Sequence, residues 1–282
     1  MVRGKKTGWR LVGKTVGAAL LILLAVIQMF PLVWMLDYSL CESKDLFGEQ
    51  ILRWPDPMHW ENYYKGIFQS NFFRYLLNSI FVTGVSVVLV VIFSLMSAFA
   101  CTKMKWKLSG VVSVVFLLGL MIPGHVTLLP NFLVYSRLHI TDTYLAYLLP
   151  YTAFPLATGF LLTSSYMKSI PRDLEEAALI DGAGMYRVLF QVIFPIMKPS
   201  MTTVAIMTFL GNWNEYIMAM TYTSRVELRT LPFLVKDFTG LYSSDYALQF
   251  AVMMLSVVPA LLAYVFLNKY IVKGIAVGAV KT

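Results

Sequence analysis

The feature that most constrains this chain is a set of long stretches that contain no charged residue. A helix that crosses the hydrocarbon core of a membrane needs about 20 mostly apolar residues, and five stretches exceed that length. They are residues 15–36, 75–102, 108–136, 143–167 and 246–268. A sixth apolar stretch, residues 199–224, is interrupted only by Glu215. The sequence therefore predicts an all-α integral membrane protein with six transmembrane helices.

The composition supports this prediction and excludes other classes. Hydrophobic residues make up 58% of the chain and charged residues only 13%, whereas soluble proteins carry about 25% charged residues. A single water-soluble core could not bury so many apolar side chains. A disordered chain and a collagen-like fibre are excluded for the same reason.

The distribution of lysine and arginine predicts the orientation in the membrane. Cytoplasmic loops are enriched in these residues, and 15 of the 23 lie on the side that holds both termini. We therefore expect both termini to be cytoplasmic. The net charge of +8 is then explained by this asymmetry and by contact with anionic lipid headgroups, without any nucleic acid partner.

Patterns typical of enzymes are either absent from the sequence or misleading. Residues 8–15 match the nucleotide-binding pattern G-x-x-x-x-G-K-[ST], but that loop requires a preceding strand, and only seven residues precede it. His59, His125 and His139 lack the spacing of metal ligands, and we expect His125 to pack at a helix break. We predict no catalytic residue, no bound cofactor, no metal and no enzymatic activity.

The most informative segment is the predicted cytoplasmic loop between the fourth and fifth spans, residues 169–195. Pro171 suits the first position of a helix, and the acidic residues that follow favour its N-terminal end. Such a short helix is marginal on its own in water. It could lie on the membrane surface as a connector, or its small face at Ala177 and Ala178 could dock into another protein.

This loop resembles a motif of a known family. Glu176, Ala177 and Ala178 are followed after three residues by Gly182 and after nine more by Val-Ile-Phe-Pro at 192–195. The pattern resembles the E-A-A-x3-G-x9-I-x-L-P loop of the membrane subunits of ATP-binding-cassette (ABC) importers. Other segments resemble the carbohydrate-uptake branch, specifically the smaller permease of maltose-type systems. These segments are residues 77–79, 121–124, 211–216, 230–232 and 274–281.

The resemblance implies a fold, a location and a set of partners. The fold is the transmembrane domain of a type I ABC importer, in a bacterial-type plasma (inner) membrane. The implied partners are a second homologous permease subunit, two ABC ATPase subunits, an extracytoplasmic solute-binding protein, membrane lipid and a sugar substrate, first of all an oligosaccharide. ATP and Mg²⁺ would bind to the ATPase subunits, and this chain would form half of the translocation pathway.

The charge-free stretches, the basic residues and the resemblance together divide the chain into segments. A basic cytoplasmic tail is followed by the first transmembrane helix, an extracytoplasmic loop, the permease core with its cytoplasmic coupling loop, and a cytoplasmic C-terminal tail. In the same order these segments are residues 1–14, 15–36, 37–74, 75–268 (with the loop at 169–195) and 269–282.

Two groups of residues are candidates for function. The resemblance assigns the ATPase contact to the coupling loop. Polar residues in the spans are candidates for the substrate pathway, because such groups are costly in lipid and normally face a bundle interior or water. Trp213 is a candidate because an aromatic ring can stack on the apolar face of a sugar. The coupling residues are Glu176, Ala177, Ala178, Asp181 and Gly182, and the pathway residues are Asn78, Asn212, Trp213, Asn214 and Glu215.

Structural interpretations of the pathway candidates remain open. Glu215 could bond a neighbouring helix or reach the outer headgroups, Asn78 could bridge helices, and Trp213 could simply pack. Two other functions are also considered. One is an ABC permease for glycerol phosphate or a polyamine, and the other is an ion-coupled carrier that uses Glu215 as a proton site. Carriers typically show internal repeats, which the sequence lacks.

Overall fold

The computed structural model describes residues 3–45, 54–104, 106–239 and 245–279, with side chains for 13–44, 54–104, 106–239 and 245–265. Residues 46–53 of the predicted outer loop and 280–282 of the predicted C-terminal tail lie outside the described residues. The fold is all-helical, as predicted. The helices are α1 (Arg3–Ser39), α2 (Glu61–Phe68), α3 (Phe72–Thr102), α4 (Ser109–Gly119), α5 (Leu128–Arg137), α6 (Leu145–Met167), α7 (Asp173–Ile180), α8 (Met185–Arg187), α9 (Phe194–Trp213), α10 (Ile217–Tyr222), α11 (Leu234–Asp237) and α12 (Tyr246–Ala279).

Among the described residues, five helical segments are long and apolar enough to cross a membrane, and a bent pair makes a sixth if it is counted as one span. The pair is α4 with the segment Gly124–Arg137, which meet at 90°. The five are Gly13–Ser39, Phe72–Thr102, Leu145–Met167, Met185–Trp213 and Tyr246–Val265. The prediction of six spans is thus in agreement with the structure when the bent pair counts as one span. Residues 8–15 lie within the helix α1, so they form no phosphate-binding loop.

The third span, residues 108–136, is broken at Pro123, next to the helix break predicted at His125. Pro123 adopts an extended conformation, with φ −65° and ψ 125°, and a 3₁₀ turn at Gly124–Thr127 leads into α5. Proline cannot donate a helical hydrogen bond and disfavours the α conformation of the residue before it. A Cβ atom at Gly124 would lie 2.9 Å from Cε of Met218, so glycine permits close packing at this break.

The fifth span is displaced relative to the predicted stretch 199–224. A π-helical segment, Val188–Ile193, leads into α9, which ends at Trp213. The predicted stretch begins too late because it starts after the charge of Lys198, whereas this exposed lysine lies inside α9. The long side chain of a lysine can pack its methylene groups against apolar surface and extend its amino group towards water. Glu215 consequently lies between α9 and α10 rather than within a continuous helix.

One compact unit comprises residues 71–234 and 256–282. Its helix α3 packs chiefly against α6 and then against α9. Gly159 of α6 allows this approach, because a Cβ atom there would overlap the hydroxyl of Ser94 and lie 3.2 Å from Val204. Small residues commonly let membrane helices pack closely. The apolar core of this unit continues to the π-helical segment through Val188 and Ile193.

The other compact unit comprises residues 1–70 and 235–255. The side chain of Asn62 donates hydrogen bonds of 3.0 Å to the carbonyl oxygens of both Ser39 and Cys41. These bonds satisfy carbonyl groups at the C-terminal end of α1, where helical partners run out. Gly66 of α2 packs against Val252, 3.0 Å from the position of a Cβ atom.

Candidate functional site: the loop helix α7 and the broken spans

The helix α7 begins in a way that its sequence explains. Asp173, Glu175 and Glu176 all lie in its first turn, where negative charge interacts favourably with the partial positive charge of the helix N-terminus. The backbone N–H groups of Glu175 and Glu176 donate to the carbonyl of Arg172 at 2.9 and 3.0 Å. The first turn is therefore well formed although α7 has only eight residues.

The C-terminal end of α7 is closed by two hydrogen bonds that reverse the chain. Ala183 N–H donates to the carbonyl of Ala178 at 2.9 Å, and Gly182 N–H donates to that of Leu179 at 3.0 Å. This is the Schellman arrangement, which requires a left-handed residue after the helix. Gly182 supplies it with φ +80°. No atom lies within 4 Å of a Cβ built on Gly182, so its backbone conformation, rather than space, calls for glycine.

Of the five predicted coupling residues, four face outwards and one faces the core of its own chain. Glu176, Ala177, Asp181 and Gly182 are exposed. Ala178 is half-buried and packs against the apolar core of its own chain. The predicted flat alanine face is thus shared between an inner and an outer side. Their assignment to an ATPase contact stays a prediction.

Exposed apolar side chains next to α7 were missed by the sequence analysis. Ile180 is 86% exposed and Tyr186 is 75% exposed, while Leu174 and Leu179 are close to half exposed. Large apolar groups grouped on a surface usually mark an interaction site. Leu174, Leu179 and Ile180 lie in α7 and Tyr186 lies in α8, and such large apolar residues in a predicted cytoplasmic loop were the available signal. They enlarge the candidate docking surface of α7.

The two adjacent glutamates of α7 have different surroundings. Glu175 forms an ion pair with Lys103 at the end of α3, with 2.5 Å between Oε1 and Nζ. The same amino group donates a 2.8 Å hydrogen bond to the carbonyl of Ile170. Glu176 instead faces outwards. Only the outward glutamate is therefore available to a partner.

A second polar cluster lies where the third and fifth spans break. Glu215 Oε1 accepts a 2.8 Å hydrogen bond from the N–H of Met218 and so caps α10. Its other oxygen, Oε2, lies 3.2 Å from Nε2 of His125. The carboxylate side chain is 18% exposed and the imidazole side chain 57% exposed. The carboxylate of Glu215 and the imidazole of His125 are thus brought together although the two residues are 90 positions apart.

The break in the fifth span is also tied to α6. The buried side chain of Asn212 donates a 2.9 Å hydrogen bond to the carbonyl of Tyr151. The hydroxyl of Tyr151 in turn donates to the carbonyl of Glu215 at 3.2 Å. Two proline residues, Pro150 and Pro155, lie inside α6 and free carbonyl groups there. These bonds place Glu215 at a defined position.

The remaining pathway candidates make structural contacts. Trp213 is 5% exposed and stacks on Phe209, with ring centroids 5.3 Å apart. Asn214 is exposed and donates a 2.9 Å hydrogen bond to the carbonyl of Leu210. These contacts correspond to the packing interpretation of Trp213.

Asn78 holds the segment that precedes the 3₁₀ turn at Leu231–Phe233. Its amide nitrogen donates hydrogen bonds of 2.8 Å to the carbonyls of Glu227 and Arg229. Its amide oxygen accepts a 2.9 Å bond from the hydroxyl of Tyr144. The contacts of Asn78 therefore correspond to the bridging interpretation.

His125, which lies next to Glu215, was not among the pathway candidates of the sequence analysis. The available signal was an ionisable residue directly after a helix-breaking Pro-Gly pair. No group of three or more potential metal ligands occurs among the described residues.

The helical bundle, its broken spans and its loop helix define a class, the membrane-spanning domain of a type I ABC importer. A bacterial ABC transporter that imports the acidic polysaccharide alginate has a chain of this fold, with a TM-score of 0.79 and 23% identity. The match covers 92% of this chain and 96% of that one. The MetNI methionine ABC transporter matches with a TM-score of 0.58 over 72% of this chain and 95% of its own.

The sequence comparisons identify the family. Residues 90–277 match the family described as binding-protein-dependent transport system inner membrane component, and the chain belongs to this family. A putative ABC transporter permease of Caldicellulosiruptor is 36% identical over 89% of this chain and 91% of its own length. A diacetylchitobiose uptake permease of Streptomyces coelicolor is 31% identical, with 92% and 86% covered. A trehalose/maltose transport permease of Thermococcus litoralis is 29% identical, with 92% and 94% covered.

Membership of this family confirms the resemblance found in the sequence. The protein is a multi-pass permease component of the inner membrane in a binding-protein-dependent ABC transport system. The bounds of the predicted segments, the orientation of the termini and the roles of individual residues stay predictions.

Proposed function

We propose that this chain is one of two permease subunits of an ABC importer for a sugar. An oligosaccharide is the leading candidate for that sugar. The observation that carries this proposal is near full-length similarity to permeases for diacetylchitobiose, for trehalose and maltose, and for arabinooligosaccharides. The chain would form half of the pathway, next to a second homologous permease.

The remaining partners follow from the same proposal. An extracytoplasmic solute-binding protein would deliver the sugar, and two cytoplasmic ATPase subunits would bind ATP and Mg²⁺ and carry out hydrolysis. Both termini and α7 would be cytoplasmic. The distribution of basic residues supports this orientation.

The surface of α7 would be the contact with an ATPase subunit. Glu176 would reach a basic group, and Ile180 and Tyr186 would be buried in a groove. Their exposure of 86% and 75% supports this role, because apolar side chains on a water-facing loop become favourable once a partner covers them. Gly182 would set the angle at which the chain leaves the contact.

The cluster of His125 and Glu215 would contribute to the pathway or its gate. A sugar presents many hydroxyl groups, and carboxylate, imidazole and amide groups can exchange hydrogen bonds with them. The exposed imidazole supports contact with a solute, whereas the capping of α10 by Glu215 supports a role in holding the break. Asn212 would position this cluster through Tyr151.

The experiment that tests this proposal is purification of the tagged chain in mild detergent, with identification of its companions by mass spectrometry. We expect a second permease and an ATPase, and we expect the system's binding protein to bind an oligosaccharide in calorimetry. A binding protein that takes glycerol phosphate or a polyamine, and no sugar, would refute the sugar assignment alone. A chain that transports without any ATPase would refute the permease mechanism and favour a carrier based on Glu215.

A further inference from the structure

The amino group of Lys103 lies in an unusual place for a lysine. Its side chain is only 4% exposed, and lysine is almost never fully buried unless it is paired. Nζ forms an ion pair with the Glu175 carboxylate, 2.5 Å from Oε1, and donates a 2.8 Å hydrogen bond to the Ile170 carbonyl. Lys103 therefore contacts both the segment that enters α7 and the first turn of α7 itself.

Lys103 is also firmly attached to the core of its own unit. Its backbone N–H donates a 2.9 Å hydrogen bond to the carbonyl of Phe99 and continues the pattern of α3. Phe99 and Ile170 belong to the same buried apolar cluster. The lysine thus joins the end of a long core helix to a short loop helix.

Both members of this ion pair are buried or nearly so, since the Glu175 side chain is 12% exposed. By contrast, at least one side chain is more than half exposed in each of the pairs Lys44–Glu42, Lys65–Glu61, His125–Glu215 and Arg225–Glu227. Exposed pairs contribute little, whereas removal of one partner from a buried pair leaves a charge without compensation.

The helix α7 also contacts the π-helical segment Val188–Ile193. Its outer face, which includes Glu176 and Ile180, is exposed. Ala178 and Ala183 pack against the core only through small side chains. A force on the outer face could rotate α7 in its loop unless a directional contact held its N-terminal end. The Lys103–Glu175 pair, with the bond to Ile170, provides that contact.

We propose that Lys103 and Glu175 are positioning residues that fix α7 to the end of α3. Movement that a partner imposes on α7 is then passed to α3 and the core, instead of being lost in the loop. This inference rests on the proposed function, because it takes α7 to be the ATPase contact. In this inference Glu175 transmits movement of α7 to α3, whereas Glu176 contacts the ATPase subunit.

The test uses the complete transporter in proteoliposomes, with its binding protein and labelled solute. Lys103→Met and Glu175→Gln each remove one charge, Lys103→Arg keeps the charge and the donors, and Lys107→Met is a matched control at an exposed lysine of the same loop. The measured quantity is the amount of solute transported per ATP hydrolysed. A purely structural role would lower both rates in proportion through loss of assembled complex.

We expect Lys103→Met and Glu175→Gln to keep ATPase hydrolysis that the binding protein stimulates, while solute per ATP falls about tenfold or more. Lys103→Arg should restore most of this ratio, and Lys107→Met should leave it unchanged. If the single variants fail to assemble, the double variant Lys103→Met/Glu175→Met removes both buried charges, which often restores stability. It should assemble and still show the low ratio.

An unchanged ratio in the assembled variants would overturn the inference. The proposed function fails in a different way, because the unmodified complex would then show no hydrolysis in response to the binding protein. The two failures are therefore distinguished by the wild-type measurement alone.

Discussion

Replacement of Gly182 by alanine tests whether the turn after α7 is needed for contact with an ATPase. Gly182 has φ +80°, a conformation that places an L side chain too close to its own backbone. The strain is about 1–2 kcal/mol for a non-glycine residue. Since no atom lies within 4 Å of the added Cβ, steric overlap with neighbours adds nothing. The perturbation is confined to the backbone of the turn.

This strain corresponds to a factor of about 5–30 in the population of the turn. The chain should still fold and insert, because its apolar core does not involve Gly182. If only the observed turn is competent to dock, affinity for the ATPase subunits should fall by the same factor. Gly182→Asn should lose less, since asparagine tolerates the left-handed region better than alanine. Gly184→Ala is the matched control, because Gly184 has φ −71° and open space around its Cβ position.

The assay is equilibrium binding of the purified ATPase subunits to the permeases in nanodiscs. We expect affinity in the order wild type and Gly184→Ala, then Gly182→Asn, then Gly182→Ala. Equal affinity for Gly182→Ala and wild type would refute the reasoning. Equal loss in Gly184→Ala would also refute it, because the effect would then come from any side chain in the turn.

Three further predictions concern other parts of the molecule. Ile180→Ser should weaken ATPase binding by up to about 1.5–3 kcal/mol, the value of burying the side chain fully, with an unchanged melting temperature; unaltered binding would contradict the docking surface. Gly159→Ala should lower the melting temperature in detergent, since overpacking costs about 1–3 kcal/mol, and Ser94→Ala should partly restore it; a wild-type melting curve for Gly159→Ala would count against the close α3–α6 packing. Glu215→Ala should reduce solute uptake more than Glu215→Gln, which retains an acceptor for the α10 cap worth about 0.5–2 kcal/mol; equal uptake would exclude a role for that cap.

The sequence predicted the class and the six spans well because both depend on local physical chemistry. A charge inside lipid is costly wherever the chain goes, so gaps between charges locate spans without knowledge of packing. The same rule was wrong at Lys198, which lies within a helix. The motif at residues 176–182 was recognisable by its resemblance to the family pattern, because the matching residues lie within a few positions of one another in the sequence.

The contacts between helices could not be predicted from the local sequence. Nothing local distinguishes Glu175, which faces Lys103, from Glu176, which faces outwards. Pro123 predicted an interruption, but neither its 90° bend nor the contact between His125 and Glu215. The Lys103–Glu175 and His125–Glu215 contacts join residues 72 and 90 positions apart.

The sequence by itself thus determined that this chain crosses a membrane repeatedly and carries a loop helix typical of ABC permeases. Only the tertiary structure decided which polar groups meet. The physical reason is the range of the interactions. Desolvation of charge, helix breaking and left-handed turns act within a few residues, whereas the pairing of Lys103 with Glu175, and of His125 with Glu215, depends on how the helices pack.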